Sequence, residues 1–410
     1  MARLWSSGFE INSVTNGVEF RETAGSPTIS STTVRSGGFA GRISSLSAGT
    51  PMRFTNWIGS GGDDDGPFFL RVYLRIATLP SADNTIIGMR SVITGDYVLN
   101  VKLSSAGVLK LYNGVVQVGS FSAALSTDVW YRIEMKLDRT GGVGASELTA
   151  RIDGVNFASS SALTLATGIA YLDFGGNMLF EVQTTGDWFF DDIGINDSTG
   201  SAQTSYPGEG KIIHAKPNAA GDNNAWKHDD DTAADTNNYT ECDEVTPDDA
   251  TSYVKRVDTG SLIDDYNCQS SSDMGIAAID TISLIAIYLR AGATSATSTN
   301  RFARVRIKSA SGATVSTGDL LDWSVNGWLT TTDTAATILH HAHVSYTDPT
   351  TTVAWTPTGT NSMDNMQVGF INENSSTNEI RVTTIHAMVE YVLGVAANQP
   401  YTKTLLGVGL

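Results

Sequence analysis

Charge is scarce in this chain. Asp, Glu, Lys and Arg make up 17% of its 410 residues, against roughly a quarter in a typical globular protein. Ser, Thr, Asn and Gly fill the gap, a neutral polar surface common in proteins that face the outside or pack into assemblies. Acids outnumber bases 43 to 26, leaving a formal net charge of −17. No basic run occurs, and a nucleic-acid backbone is held by clustered Lys and Arg that release counterions; nucleic acid is therefore not an expected partner. Long apolar runs are also missing. Nothing approaches the ~18 apolar residues of a membrane-spanning helix, so no membrane insertion is expected. The opening MARLWSSGFEINS has no apolar segment behind Arg3, unlike a cleaved secretory leader, and synthesis in the cytosol follows. Only two cysteines occur, Cys242 and Cys268, which excludes a disulfide framework. One bridge between them is a candidate, because YTECDEV and DDYNCQ both read as strands able to lie side by side. Two separate half-buried thiols are the alternative.

What the chain has in abundance is an apolar period of two. FFLRVYLRI (68–76), YVLNVKL (97–103), WYRIEMKLD (130–138) and ELTARIDG (147–154) alternate cleanly, as do ISLIAIYLR (282–290), FARVRIKS (302–309), MQVGFIN (366–372) and IRVTTIHAMVEYV (380–392). Asn113-Gly114, Asp153-Gly154, Ser311-Gly312 and Asn326-Gly327 are hairpin signals between them. Helix signals reduce to one short element near 319–323 or 361–365. The class is all-β: two tandem antiparallel β-sandwich (jelly-roll) domains and an extended C-terminal tail. The first domain spans 1–198. STGSAQTS is a small-residue linker at 199–206, and the Pro207-Gly208 turn opens a second sandwich over 207–394. That half begins with a loop-rich acidic stretch, with regular strands resuming at TSYVKRV. Residues 395–410 follow no domain pattern, which suits either fraying or a reach onto a neighbouring subunit.

Several clusters could carry chemistry. Asp191 and Asp192 close the strand WFFDDIGI, where alternation sends one inward and one outward. A buried carboxylate needs partners: backbone amides of a turn, an Arg such as Arg21, or a metal. Calcium is the ion such acids would take, although it wants six to eight oxygens. Asp63, Asp64 and Asp65, and the run from His228 to Asp231, read as solvated acidic turns. His341 and His343 share a strand face but lack a third zinc ligand. Glu134 and Glu181 stand alone, whereas a glycosidase flanks its cleft with two carboxylates. With no GxSxG and no Cys/His pair either, no catalytic residue is named and the chain is expected not to be an enzyme. Aromatics remain: Trp57, Tyr97 and Tyr112 are the candidates for stacking on a sugar.

The order GFE, VRSGGFAGRIS, FFLRVYLRI, WYRIEMKLD, ELTARIDGV and WFFDDIGIND resembles the concanavalin A-like lectin/glucanase (laminin-G-like) jelly roll over 1–198. Members of that family bind glycans, cleave them or provide structure. The second half is similar to a domain of tailed-bacteriophage structural proteins over about 205–394, through YPGEGKIIHAKPNAAGDNNAW, DDATSYVKR, DDYNCQ, WTPTGTNSMDNMQVGF and RVTTIHAMVEYVLG. The resemblance implies a virion component made in the host cytoplasm. Its place would be the particle exterior, as capsid decoration or on the tail, with the lectin-like domain outward and other virion proteins as partners. Copies on a particle occupy equivalent positions, so a homo-oligomer is implied. Host surface glycans are the further partner implied, with host attachment as the alternative role.

Overall fold

The computed structural model describes residues 2–44, 49–58, 63–179, 181, 185–228, 236–247, 251–256, 261–293, 302–318, 321–322, 340–373 and 379–394. The period-two segments become long antiparallel strands in four sheets. An eight-stranded sheet is centred on Phe68–Thr78, which pairs with Trp130–Asp138 on one side and Asp187–Asn196 on the other. A seven-stranded sheet runs Val116–Val118, Leu109–Asn113, Tyr97–Leu103, Asn84–Arg90, Tyr171–Gly176, Met52–Trp57, Glu22–Ala24. Leu70, Val72, Leu74 and Ile76 of the first sheet meet Ile87, Met89, Leu99 and Val101 of the second in one core. Trp188 ties the layers together, its Nε1 donating to Gly175 O at 2.9 Å. Asp153 and Gly154 form the turn their sequence promises. Both have positive φ, 51° and 85°, and Ile152 pairs with Val155 across them, the twist a two-residue hairpin requires.

Two six-stranded sheets make the second sandwich. Ile380–Val392 is its axis, pairing with Lys211–Ala215, Val254–Arg256 and Thr281–Ala293. Strands resume earlier than the sequence suggests: Lys211–Ala215 and Pro217–Asn224 both precede Tyr253. The segment before Cys242 is a short 3-10 turn, Asn238–Glu241, not a strand, and the expected short helix near 361–365 is the 3-10 turn Met363–Asn365. The C-terminal tail, 395–410, lies outside the described residues. No helix among the described residues is long and apolar enough to cross a membrane.

The eight-stranded sheet and the Ile380–Val392 sheet turn their outer faces toward each other. Ile11 and Val18 from one half pack with Ile212, Leu284, Tyr288 and Met388 from the other. Around this cluster lies a polar network. Arg3 and Arg71 both pair with Glu390, and all three are fully buried. Arg3 N donates to Tyr346 Oη at 2.8 Å, and Arg290 Nη1 donates to Gly17 O at 2.9 Å. Positions that alternation assigns to solvent on the first sheet, Arg71, Glu134 and Asn196, are therefore at most 1% exposed.

Candidate functional site

The outer face of the seven-stranded sheet is built by the residues between its core positions. Cross-strand register places Trp57, Tyr171, Arg90 and Tyr97 in one row over four adjacent strands. The next row runs Thr55, Asp173, Gly88, Asn100 and Tyr112. All three aromatics singled out from the sequence thus share this face. The register shifts between Met89 and Arg90, which brings the Tyr97 ring over Gly88; a Cβ there would lie 2.4 Å from ring atoms. Only glycine lets Tyr97 lie flat on the sheet.

Asp173 organises the charges. It is buried, accepts from Thr55 Oγ1, and lies 3.0 Å from Arg90 Nε and 3.6 Å from Arg53 Nε. The cations in turn sit on the aromatics: Arg21 lies 4.0 Å from the Trp57 ring centroid, Arg90 4.3 Å from Tyr171, and Lys102 5.2 Å from Tyr112. Two buried polar atoms on this face have no hydrogen-bond partner, Trp57 Nε1 and Asn100 Oδ1; the Tyr97 hydroxyl is turned to the Asp173 carboxylate, which takes its hydrogen. Burial, reinforced by the negative charge of Asp173, pushes the Tyr97 phenol well up, so it stays a neutral O–H. An unmet buried group costs about 1–3 kcal/mol, and two on one face, one donor and one acceptor, suit a hydroxyl-rich ligand that would satisfy them. Sequence reasoning found the aromatics but missed Tyr171, Arg90, Asp173 and Asn100. Their signal is cross-strand register, which single-strand alternation does not contain.

The other candidates are absorbed by structure. Asp191 and Asp192 do not split between inside and outside. A bulge between Asp191 and Gly194, with Asp192 at φ 49°, turns both toward the second half, where both are fully buried. Asp191 accepts from the amides of Arg35 at 2.8 Å, Ser36 at 3.4 Å and Asp192 at 2.8 Å. Asp192 accepts from Ser36 Oγ and from Ile212 N at 2.6 Å, and pairs with Arg35. All four oxygens are taken by protein donors, which corrects the calcium assignment at Asp191 and Asp192; the partner is Arg35, and Arg21 stacks on Trp57 instead. Burial, then the charge of Asp192, holds the Asp191 carboxyl far above its usual range.

The cysteine bridge is likewise corrected, because Cys242 and Cys268 are both buried free thiols. Cys242 Sγ lies 3.4 Å from Val382 O in the second core, while Cys268 ends the strand Ile263–Cys268 in the opposite sheet. With Cys242 in a turn rather than a strand, the side-by-side pairing that a bridge requires does not form.

Asp63 caps the turn at Val92, accepting from its amide at 2.6 Å; Asp64 accepts from Gly66 N at 2.9 Å, and Asp65 pairs with Arg139. His228 Nδ1 lies 3.5 Å from Glu241, and Asp229 to Asp231 fall outside the described residues. His343 Nε2 is 2.9 Å from Ser316 Oγ. The backbone register shifts between His341 and His343, and the side chain of His341 lies outside the described residues. Among the described residues, no group of three or more His, Cys, Asp or Glu side chains could hold a metal ion. Glu134 accepts from Gly208 N at 3.1 Å across the junction of the halves. Glu181 accepts from Thr85 N at 2.9 Å and pairs with Lys102 at 3.1 Å, on the edge of the aromatic face.

No protein-family model matches this sequence, and no curated protein does either. Solved structures do. The cellulose-induced protein Cip1 is 16% identical over 50% of this chain and 99% of its own, with a TM-score of 0.36. The Trypanosoma rangeli sialidase is 10% identical over 45% of this chain, with a TM-score of 0.30, and a further sialidase is 10% identical over 47% with the same score. This chain spans 29% and 18% of those two sialidase chains. The expectation that the chain is not an enzyme is corrected by this finding, because the solved chains similar to it include glycosidases. The fold itself, an all-β sandwich of antiparallel sheets, is read from the strand pairing of this chain.

Proposed function

We propose that the outer face of the seven-stranded sheet binds a carbohydrate, and that the chain presents this face from a tailed-phage particle. The observation that carries the first part is the row Trp57–Tyr171–Arg90–Tyr97, with the unpartnered Trp57 Nε1 and Asn100 Oδ1 on the same face. A sugar supplies what this face lacks, a ring of hydroxyls able to both accept and donate. Tyr97→Phe removes one oxygen and leaves the ring on Gly88, so it should weaken binding about 5–10-fold through the single lost hydrogen bond. Trp57→Ala should abolish it. A glycan array followed by calorimetry on the whole chain measures both. If no glycan binds, or if both variants bind like the wild type, this reading is wrong.

The particle assignment rests on the sequence pattern over 205–394. In this reading the second sandwich docks to other virion proteins, and the polar junction around Glu390 holds the glycan-binding sandwich in a fixed orientation to it. Mass spectrometry of purified virions tests the assignment. Absence of the chain from intact particles would overturn it, and labelling in the particle would separate capsid decoration from a tail position.

A further inference from the structure

We infer that one flank of the first sandwich is a self-association surface, on which a second copy of this chain packs about a two-fold axis. The two longest stretches of the sequence without a charged residue are 111–127 and 154–172, in a chain where 17% of residues are charged. The fold brings them together. Residues 111–127 carry the edge strand of the seven-stranded sheet, Val116–Val118, and 154–172 carry the edge strand of the eight-stranded sheet, Val155–Leu163. Asn113 Nδ2 donates to Thr164 O at 3.3 Å, and a Cβ on Gly119 would lie 3.1 Å from Ala158 Cα and 2.9 Å from Ser159 N. The two edges therefore run antiparallel, side by side, down one flank. Val115, Val116, Phe121 and Val155 stand on it, 85%, 65%, 52% and 72% exposed. Scattered apolar side chains are ordinary on a surface, whereas a continuous strip marks a contact.

The opposite edges of the same two sheets are built differently. Their outer strands, Glu22–Ala24 and Thr28–Ser30, are three residues long, with Arg21 and Glu22 at the start of the first. Short strands and charges are the usual protection of a free edge. Val155–Leu163 is nine residues long and carries no charge. Charge also selects the occupant. A partner recognised by its charge, acidic or basic, finds nothing to pair with along 111–127 and 154–172. A second copy brings a net charge of −17 to any approach, and like charges set against each other across a contact are costly. On this flank two copies meet without that cost, and a two-fold axis sets the same neutral strip on both sides. The contact is side-chain packing, not continued strand pairing. Val155–Leu163 shifts register twice against Ser146–Ile152, which bends the edge, and Gly119 lies against the Ser159 amide. Lys110, 5.2 Å from the Phe121 ring, and Asp153, in the turn before Val155, supply a charged rim at the ends of the strip.

Sedimentation velocity on the full chain, over a concentration series, reads the association. The wild type should form a reversible dimer that holds or tightens as salt screens the two acidic copies from each other. Val116→Glu and, separately, Val155→Glu place two new carboxylates in the contact, because each substitution occurs once in each copy, and should weaken the dimer at least about 100-fold. Both side chains are exposed in the single chain, so urea unfolding of each variant should match the wild type and separate lost association from lost folding. Val353→Glu, at a valine 60% exposed on the second sandwich, adds the same charge elsewhere and should leave the dimer intact. A wild type that stays monomeric at every concentration would overturn the inference. So would an assembly that Val116→Glu and Val155→Glu leave unchanged, or one that Val353→Glu disrupts equally.

Discussion

Glu390 is the point at which the two halves are most open to a decisive perturbation. Its carboxylate is fully buried between Arg3 from the first strand and Arg71 from the central strand of the eight-stranded sheet. Burial alone would raise its pKa, but the two guanidinium groups more than offset this and hold it at about 2, below the usual 4.5. Moving a carboxyl that far corresponds to roughly 3 kcal/mol. Removing one member of a buried ion pair independently costs about 3–5 kcal/mol, because the remaining charge is stranded away from water. Glu390→Gln strands two. Urea unfolding at pH 7 should therefore show a loss of about 3–5 kcal/mol. The pH dependence has a definite sign. The folded-state pKa is depressed, so the contribution is complete above 4.5 and is lost as pH falls from 4.5 toward 2; the gap between wild type and variant should shrink over that window. A triple replacement of Glu390, Arg3 and Arg71 by Met removes every stranded charge and should recover most of the loss. A Glu390→Gln variant within about 1 kcal/mol of wild type at pH 7, or a gap that is constant across the acid range, would refute the buried triad.

Two further outcomes follow from buried groups. Glu19 is buried, accepts from Ser7 Oγ and leaves Oε2 unpartnered; burial pushes its carboxyl up to about 7. A raised folded-state pKa contributes stability at low pH that is lost as pH climbs from 4.5 through 7, so Glu19→Gln should gain on wild type by roughly 1–3 kcal/mol between pH 5 and pH 8 in thermal or urea unfolding. The thiols offer a separate check. Burial pushes Cys268 up to about 12 and Cys242 well above its ordinary value. A thiol reagent should label neither in the folded chain and both in denaturant, with no added reductant; a single unreactive pair after unfolding would show a bridge instead.

How much of this was legible in the sequence depends on the distance over which each feature is decided. Alternation in FFLRVYLRI and WYRIEMKLD depends on neighbouring residues, and so does the Asp153-Gly154 turn, whose positive φ values are set by the dipeptide itself. These determined strands, hairpins and an all-β sandwich. The same pattern assigned Arg71, Glu134 and Asn196 to solvent, because it records which face a side chain occupies and not what that face meets. A second sandwich covers them, and the polar residues on those strands become a buried network instead of a wet surface. The Asp191-Asp192 pair makes the distinction sharpest. Its composition suggested one hidden and one exposed acid; a bulge and the amides of Arg35, Ser36 and Ile212 bury both. On the other sheet, the sequence alone picked out Trp57, Tyr97 and Tyr112 as aromatics suited to a sugar. Only the tertiary structure placed them on one face with Arg90 and Asp173, because cross-strand register joins residues dozens of positions apart, through backbone hydrogen bonds that no local pattern encodes.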